Sequence, residues 1–175
     1  MELSGHSLAE LERLAADRKQ PPVERWDPPH CGHSRMRIAR DGAWYHEDRP
    51  IRRPAMVRLF ASILRREPDG GYVLVTPVEK LAIDVEDAPF VAIELISEDV
   101  GRGRSLAFRL NTDELVIAGP AHPLRLERGR PYLAVRRGLD ALVARPVFYE
   151  LAEIALAEGG GLWSGGAFFP LGEPA

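Results

Sequence analysis

The residues most suited to binding chemistry lie beside two apolar runs in the middle of the chain, Tyr72–Val75 and Leu81–Val85. Runs of β-branched and aromatic residues bounded by Pro and Asp are typical of strands. Glu79 and Lys80 lie between the two runs, and Asp87 follows the second. Because loops held by a rigid scaffold often carry function, these charges are candidates for contacts with a ligand. The alternative is that they only solvate a hairpin, since aspartate commonly marks turns.

A pair of adjacent arginines, Arg136 and Arg137, follows a later apolar run. Arginine binds phosphate or carboxylate groups through two parallel hydrogen bonds. We therefore predict an anion-accepting cleft between two halves of the chain, with cations for the anion, Asp and Asn for hydroxyl groups, and tyrosine for stacking. The predicted ligand-binding residues are Glu79, Lys80, Asp87, Asn111, His122, Arg125, Arg136 and Tyr149. The alternative is a structural network of ion pairs that joins the halves.

Metal and covalent chemistry have little support in the sequence. The cluster His30-Cys31-Gly32-His33 has the ligand types that zinc prefers, but three ligands so close together rarely surround one tetrahedral ion. Glycines 159–161 lack the Lys-Ser/Thr of a phosphate-binding loop, and Ser164 is not in a Gly-x-Ser-x-Gly elbow. We therefore predict no metal, no cofactor and no catalytic residue. An enzyme acting on a phosphorylated or nucleotide substrate would need Glu79 or Asp87 as its general base.

Composition places the chain among globular proteins. Its 175 residues are 45% hydrophobic and 28% charged, with a net charge of -3. This charge provides no basic field for nucleic acid, so no DNA partner is expected. No apolar run approaches the ~20 residues of a membrane-spanning helix, and the first residues do not resemble a signal peptide. A single cysteine, Cys31, excludes an internal disulfide. We expect a cytoplasmic protein without membrane insertion.

Patterns near the N-terminus predict a helix, a loop and a hairpin. Ser7 and Glu10 have the spacing of a capping box, so a helix is expected over Ser7–Lys19, packed outside the rest as an appendage. The segment Val23–Arg35 is expected to be a proline-rich loop. Asp41-Gly42 between two apolar runs is a strong hairpin signal.

Two further helices are expected, each opened by an Arg-Pro pair. The first begins at Pro54, buries a broad face that includes Met56 and Leu59, and ends before the next proline. The second begins at Pro146 and is followed by a final strand over Leu162–Phe169. The residues between the two helices predict strands only. Their connections are too short for helical crossovers, so the sheets should be mainly antiparallel.

Overlaying the two helices gives an internal repeat. Arg53-Pro54 aligns with Arg145-Pro146, and Leu59 then aligns with Leu151. Self-similarity of this kind suggests duplication of one supersecondary unit, with chance similarity as the alternative. A ligand site between the copies would follow from the preference of pockets for domain interfaces.

Several short segments together resemble a known family. In chain order they are Asp41-Gly42 with Trp44-Tyr45, Pro50-Ile51, Val75–Lys80, Val85–Phe90, His122–Arg125, Val135–Leu139 and Arg145–Leu151. The sequence resembles the bacterial, largely proteobacterial family called domain of unknown function 1285. The Thr-Pro-Val-Glu-Lys and Val-Glu-Asp-Ala-Pro-Phe strings are the most specific parts of this resemblance, which spans nearly the whole chain.

The resemblance implies an α+β fold of two related small domains that arose by internal duplication. Each has a mainly antiparallel sheet with a helix, and the C-terminal half is superficially like a pleckstrin-homology module. The expected parts are residues 1–25 (helix and linker), 26–86 (first repeat) and 87–175 (second repeat). The resemblance also implies a ligand site at the interface, for a nucleotide-like molecule, and a role in signalling. A ligand-sensing module is thus the favoured function, with an enzyme and a protein-interaction adaptor without a known protein partner as alternatives.

Overall fold

The computed structural model describes residues 7–17 and 19–172. Three α-helices cover Leu8–Ala16 (α1), Pro54–Ser62 (α2) and Arg145–Ala157 (α3). The first six strands are His30–Ile38 (β1), Trp44–His46 (β2), Arg49–Pro50 (β3), Leu64–Arg66 (β4), Tyr72–Val75 (β5) and Lys80–Val85 (β6). The next six are Phe90–Glu98 (β7), Ser105–Leu110 (β8), Leu115–Ile117 (β9), Leu124–Glu127 (β10), Arg130–Arg136 (β11) and Leu139–Val143 (β12). A last hairpin consists of Gly161–Ser164 (β13) and Ala167–Pro170 (β14).

The chain forms two compact units. The N-terminal unit comprises Lys19–Pro89 and Arg137–Leu139. The C-terminal unit comprises α1, Phe90–Arg136 and the described residues from Asp140 onward. None of the described helices has the length and apolar composition needed to cross a bilayer.

The N-terminal unit is built on a six-stranded sheet in the order β3-β2-β1-β6-β5-β4. Two antiparallel three-stranded meanders, β1-β2-β3 and β4-β5-β6, meet at its centre. There β1 and β6 pair in parallel, with Arg37 opposite Asp84 and Ile38 opposite Val85. The buried side chains include Ile38 and Trp44, and the Trp44 ring stacks on Phe60 of α2 at a centroid distance of 6.4 Å. Large aromatic side chains dominate the packing of small cores, so this pair fixes α2 on the sheet.

The C-terminal unit repeats this arrangement. Its sheet has the order β10-β11-β12-β7-β8-β9, so two meanders again meet in a parallel pair of the first and last strands. Phe90, Phe108 and Leu133 are fully buried side chains of this sheet. Helix α3 and the β13–β14 hairpin follow the sixth strand. The prediction of an α+β protein with two sheet-dominated domains, each with a helix, is confirmed.

The shared strand order gives a different correspondence between the two units from the internal repeat that was obtained by overlaying the two helices. It pairs β1 with β7 and β6 with β12 as equivalent strands. Helix α2 lies between the two meanders of its sheet, whereas α3 follows the second meander. The alignment of Arg53-Pro54 with Arg145-Pro146 is therefore wrong, because it superposes helices that occupy different places in the strand order. The likeness to pleckstrin-homology modules stays a prediction.

Local signals predicted some elements correctly and others not. The Asp41-Gly42 hairpin is confirmed: Gly42 has a φ of 87°, and β1 pairs with β2 through Ile38 opposite Trp44. The proline-rich loop is shorter than predicted, because β1 already begins at His30. The expected final strand is a hairpin that turns at Gly165-Gly166. Both differences arise because pairing with a neighbouring strand decides where an extended segment counts as part of a sheet.

Helix α2 departs most from its predicted burial. It ends at Ser62, and the residues expected to complete it form strand β4. The side chain of Ala61 is buried, but Met56 is 40% exposed and Leu59 is 60% exposed. The apolar composition predicted a helix correctly but did not predict how much of its surface the sheet would cover.

Helix α1 is part of the C-terminal unit and not an appendage. The capping box is confirmed: Ser7 N–H donates to Glu10 Oε2 at 2.8 Å, and Ser7 Oγ accepts from the N–H of Glu10. The N–H of Leu8 donates to Glu98 Oε1 at 2.7 Å, at the end of β7. Leu11 is 0% exposed and packs against Ala107 and Leu115 of the sheet. The helix thus covers an apolar surface that β8 and β9 would otherwise expose.

Replacing Leu11 with alanine tests this packing. The L11A variant should lose about 2–5 kcal/mol of unfolding free energy, as truncation of a fully buried leucine leaves a cavity. Urea denaturation followed by circular dichroism measures the loss. The matched control is V100A in the same unit, where the side chain is 78% exposed and the expected change is within about 0.5 kcal/mol. If L11A has the same urea midpoint as the wild type, α1 does not stabilise the C-terminal unit and is an appendage, as the sequence predicted.

The end of α3 is tied to the sheet by a largely buried ion pair between Arg104 and Glu158. Glu158 Oε1 also accepts a hydrogen bond from the N–H of Gly101 at 3.1 Å. The hydrogen bond from Arg104, followed by that from Gly101, lowers the pKa of the Glu158 carboxyl below its ordinary value. The ionised carboxylate therefore stabilises the folded chain.

The E158Q variant should melt at a lower temperature than the wild type near neutral pH. A carboxyl with a lowered folded pKa contributes stability above its unfolded pKa and loses it as the pH falls through the folded value. The difference between the two melting temperatures should consequently narrow below pH 4.5, the ordinary value for the group. Calorimetric melts across this range measure it, with E12Q on the exposed side of α1 as the control. If the difference in melting temperature between E158Q and the wild type does not change with pH, the ionised Glu158 carboxylate is not the source of the stability.

Candidate functional site

The structure places three of the predicted ligand-binding residues in the N-terminal unit. Glu79 is exposed in the turn before β6, and its carbonyl accepts the N–H of Thr76 at 2.9 Å. Lys80 lies 3.6 Å from Glu67 Oε2 and is largely covered. Asp87 is half-buried in the segment after β6. Within this unit, the predicted lysine thus already pairs with a carboxylate.

The remaining five lie in the C-terminal unit, and Arg136 is the most enclosed of its predicted cations. Its Nη1 donates to Glu114 Oε1 at 2.6 Å and Oε2 at 2.7 Å. The guanidinium also lies over the Phe90 ring, 5.0 Å from its centroid. Asn111 joins the start of β7 to the end of β8: its Oδ1 accepts the N–H of Val91, and its own N–H donates to the Val91 carbonyl. Both residues therefore hold the sheet together.

Arg125, His122 and Tyr149 have different surroundings. Arg125 Nη2 donates to Asp140 at 2.9 Å, and this hydrogen bond raises the pKa of the guanidinium. His122 Nδ1 is 3.1 Å from the Ala134 carbonyl, so Nδ1 carries the proton and donates. Tyr149 is exposed on α3. The three predicted cations, Lys80, Arg125 and Arg136, each pair with a carboxylate of their own unit. Such pairing is what a structural network of ion pairs requires. Their role in ligand binding stays a prediction.

The His30-Cys31-Gly32-His33 cluster is spread along the first residues of β1. His33 Nδ1 accepts the N–H of Arg35 at 2.8 Å, so Nε2 carries the proton and donates to Asp84 at 3.1 Å. Cys31 Sγ donates to the Pro29 carbonyl. Among the residues that the structure describes, no three His, Cys, Asp or Glu side chains are grouped to hold a metal ion.

A cavity of about 580 Å³ in the N-terminal unit is lined by charged side chains and one tryptophan. We call it the Arg66–Arg137 cavity. Its lining residues are Glu24, Trp26, Asp27, Arg65, Arg66, Glu67, Pro68, Arg137 and Gly138. The volume lies within the range of ligand pockets, about 300–1,000 Å³. Of these nine residues, Arg137 was singled out from the sequence as a possible anion contact, but it is not among the eight predicted site residues.

A buried network forms one side of this cavity. Arg65 Nη1 donates to the carbonyls of Val23 and Trp26 at 2.8 and 2.6 Å, and its Nε donates to Glu67 Oε1 at 2.8 Å. Glu67 also pairs with Lys80. These bonds hold the segment before β1 against strand β4. Arg65 and Glu67 are therefore committed to structure and position the groups around them.

Two other arginines have donors to spare. Arg66 lies over the Tyr72 ring, 4.7 Å from its centroid, and Nη1 donates to the Tyr72 hydroxyl at 2.5 Å. Within the part of the chain that the structure describes, Arg66 pairs with no carboxylate. Arg137 is exposed and lies 3.7 Å from Glu24 Oε2, a loose contact. A guanidinium has five N–H donors, so both side chains can bind a further acceptor.

Gly138 makes this arrangement possible. A Cβ at this position would lie 3.1 Å from the Cβ of Arg66, and the φ of Gly138 is 69°. A side chain here would displace the Arg66 stem and strain the backbone. The helix predicted from Pro54 to the next proline would have included Arg65 and Arg66. Their pairing in β4 instead turns the two side chains to different surroundings.

These features define a two-domain α+β protein with an arginine-lined cavity. The chain belongs to the DUF1285 family, as its sequence predicted. Residues 21–88 match the family's N-terminal domain, described as a domain of unknown function, and residues 89–171 match its C-terminal domain, described as a protein of unknown function.

Two solved structures of the same family are similar to this chain. A DUF1285 family protein from Silicibacter pomeroyi DSS-3 is 45% identical, with 92% of this chain and 93% of that chain covered and a TM-score of 0.81. A DUF1285 family protein from Shewanella baltica OS155 is 27% identical, with 67% and 90% covered and a TM-score of 0.55. No match was found among curated proteins.

The Arg136–Glu114 pair can be tested as a structural element. R136A should lower the unfolding free energy by about 1–3 kcal/mol, because it removes hydrogen bonds to a charged group and leaves Glu114 without them. A double-mutant cycle with E114A, measured by urea denaturation, should give a double variant that loses less than the two single losses together. Strict additivity would show that the pair contributes no interaction energy.

Proposed function

We propose that this protein is a binding module for a small anionic molecule of nucleotide-like character, held in the Arg66–Arg137 cavity. The observation that carries the proposal is the presence of two arginines with unused donors beside Trp26 in one cavity of about 580 Å³. Arginine forks match phosphate and carboxylate oxygens, and an indole ring stacks on a planar base. A cytoplasmic, ligand-sensing role in signalling fits such a module.

The charges around the cavity favour a ligand that is anionic at one end only. Arg65 and Glu67 neutralise each other, which leaves Arg66 and Arg137 beside Glu24 and Asp27. A phosphate would bind between the two guanidinium groups, and its entry would release Arg137 from its 3.7 Å contact with Glu24. Asp27 could then accept hydrogen bonds from ligand hydroxyl groups, as carboxylates do. A ribose phosphate or nucleotide has this polarity.

Thermal-shift screening with nucleoside mono-, di- and triphosphates and with cyclic dinucleotides tests the proposal. A ligand that binds only the folded chain raises its stability by mass action, by about 2.7 kcal/mol at one hundred times its dissociation constant. The R66Q and R137Q variants should melt near the wild type without ligand and lose most of the ligand-induced shift. E24Q should increase the shift, since it removes the competing carboxylate.

The matched control is R102Q. Arg102 lies over the Trp163 ring at 5.1 Å, much as Arg66 lies over Tyr72, but it is not part of the cavity. Its variant should respond to the ligand like the wild type. The proposal is wrong if no compound in the panel shifts the wild type, or if a shift persists unchanged in both R66Q and R137Q.

A further inference from the structure

Helix α2 presents apolar side chains to the surface in a strongly basic setting. Met56 and Leu59 are 40% and 60% exposed and lie one turn apart. Residues 49–63 contain four arginines and no acidic residue. Arg52 and Arg53, just before the helix, are exposed and form no ion pair with any residue in the described ranges. This basic, apolar surface is called the α2 face.

Helix α3 presents apolar side chains in an acidic setting. Tyr149 is 59% exposed and Leu156 is 81% exposed, two turns apart on one side of the helix. Glu153 is exposed on the same side and Glu150 is exposed next to it, and neither has an ion-pair partner within residues 7–17 and 19–172. This acidic, apolar surface is called the α3 face.

The residue spacing on α3 suits a knob-into-hole contact with the side chains of the α2 face, and the two faces carry opposite charges. The i, i+3, i+4 and i+7 spacing of four residues that surround a hole on a helix surface is present on α3 at Tyr149, Ala152, Glu153 and Leu156. Leu59 and Met56 are protruding side chains of the size that such holes accept. The charges nearby have opposite signs, so packing would bring Arg52 and Arg53 towards Glu150 and Glu153.

We propose that the α2 face of one copy binds the α3 face of a second copy of this chain. Pairing of two α2 faces would bring arginines together, and pairing of two α3 faces would bring carboxylates together, so charge selects the mixed contact. The contact uses neither Arg66 nor Arg137 and is independent of ligand binding. A stable interface buries about 1,200–2,000 Å² of accessible surface, and a contact between two short helices buries less. The association is therefore weak and depends on protein concentration.

Sedimentation velocity over a concentration series tests the association. The wild type should shift from monomer towards larger species as concentration rises, and added salt should weaken the shift because exposed charges are screened. The R52E/R53E and E150R/E153R variants should each bind themselves about tenfold or more weakly, since like charges then meet. Circular dichroism melts check that both variants remain folded.

An equal mixture of the two charge-reversed variants tests whether opposite charges on the α2 and α3 faces drive the association. The acidic α2 face of R52E/R53E then meets the basic α3 face of E150R/E153R, so association should return. L156A, which alters no charge, should weaken self-association in the wild type. The proposal is overturned if the wild type stays monomeric throughout the series, or if the mixture fails to associate. Binding of a monomeric wild type to phosphatidylglycerol vesicles, abolished in R52E/R53E, would assign the α2 face to a lipid surface instead.

Discussion

Both sheets depend on one constraint: the first strand pairs in parallel with the sixth. In the N-terminal unit β1 pairs with β6, and in the C-terminal unit β7 pairs with β12. The three-stranded meanders on either side can form from local contacts, but neither has a covered inner edge until the central pair closes. Because that contact joins residues far apart in the chain, its closure entropy must be offset by the whole sheet. Each sheet is thus expected to form as a cooperative unit.

The same constraint explains where the helices lie. A parallel pair cannot be joined by a tight turn, so the chain between its two strands must cross from one side to the other. In the N-terminal unit, α2 lies within that connection, between the two meanders. In the C-terminal unit, the connection consists of strands, loops and one short 3-10 helix (Gly101–Gly103), and α3 comes afterwards. Two sheets with one strand order thereby carry their helices at different points.

Arginine serves several physical purposes in this protein. Arg65, Arg104 and Arg136 are largely covered, and each bonds to a carboxylate because a buried guanidinium requires compensation. Arg66 and Arg137 lie at a cavity and keep unused donors, which makes them suited to an external anion. Arg52 and Arg53 stand on an exposed surface beside apolar side chains. The residue type is the same throughout, and burial and neighbours decide whether it stabilises the chain or can bind a partner.

Sequence by itself determined the family, the α+β class and the elements with local causes. The capping box at Ser7, the turn at Asp41-Gly42 and the start of α3 at Arg145-Pro146 depend on residues close together in the chain. Tertiary structure decided the strand order, the packing of Leu11 on the sheet, and the exposure of Met56 and Leu59, because these depend on strands distant in sequence. It also decided the partners of Lys80, Arg125 and Arg136: a charge pattern shows that cations are present, whereas only folding brings each one to its carboxylate.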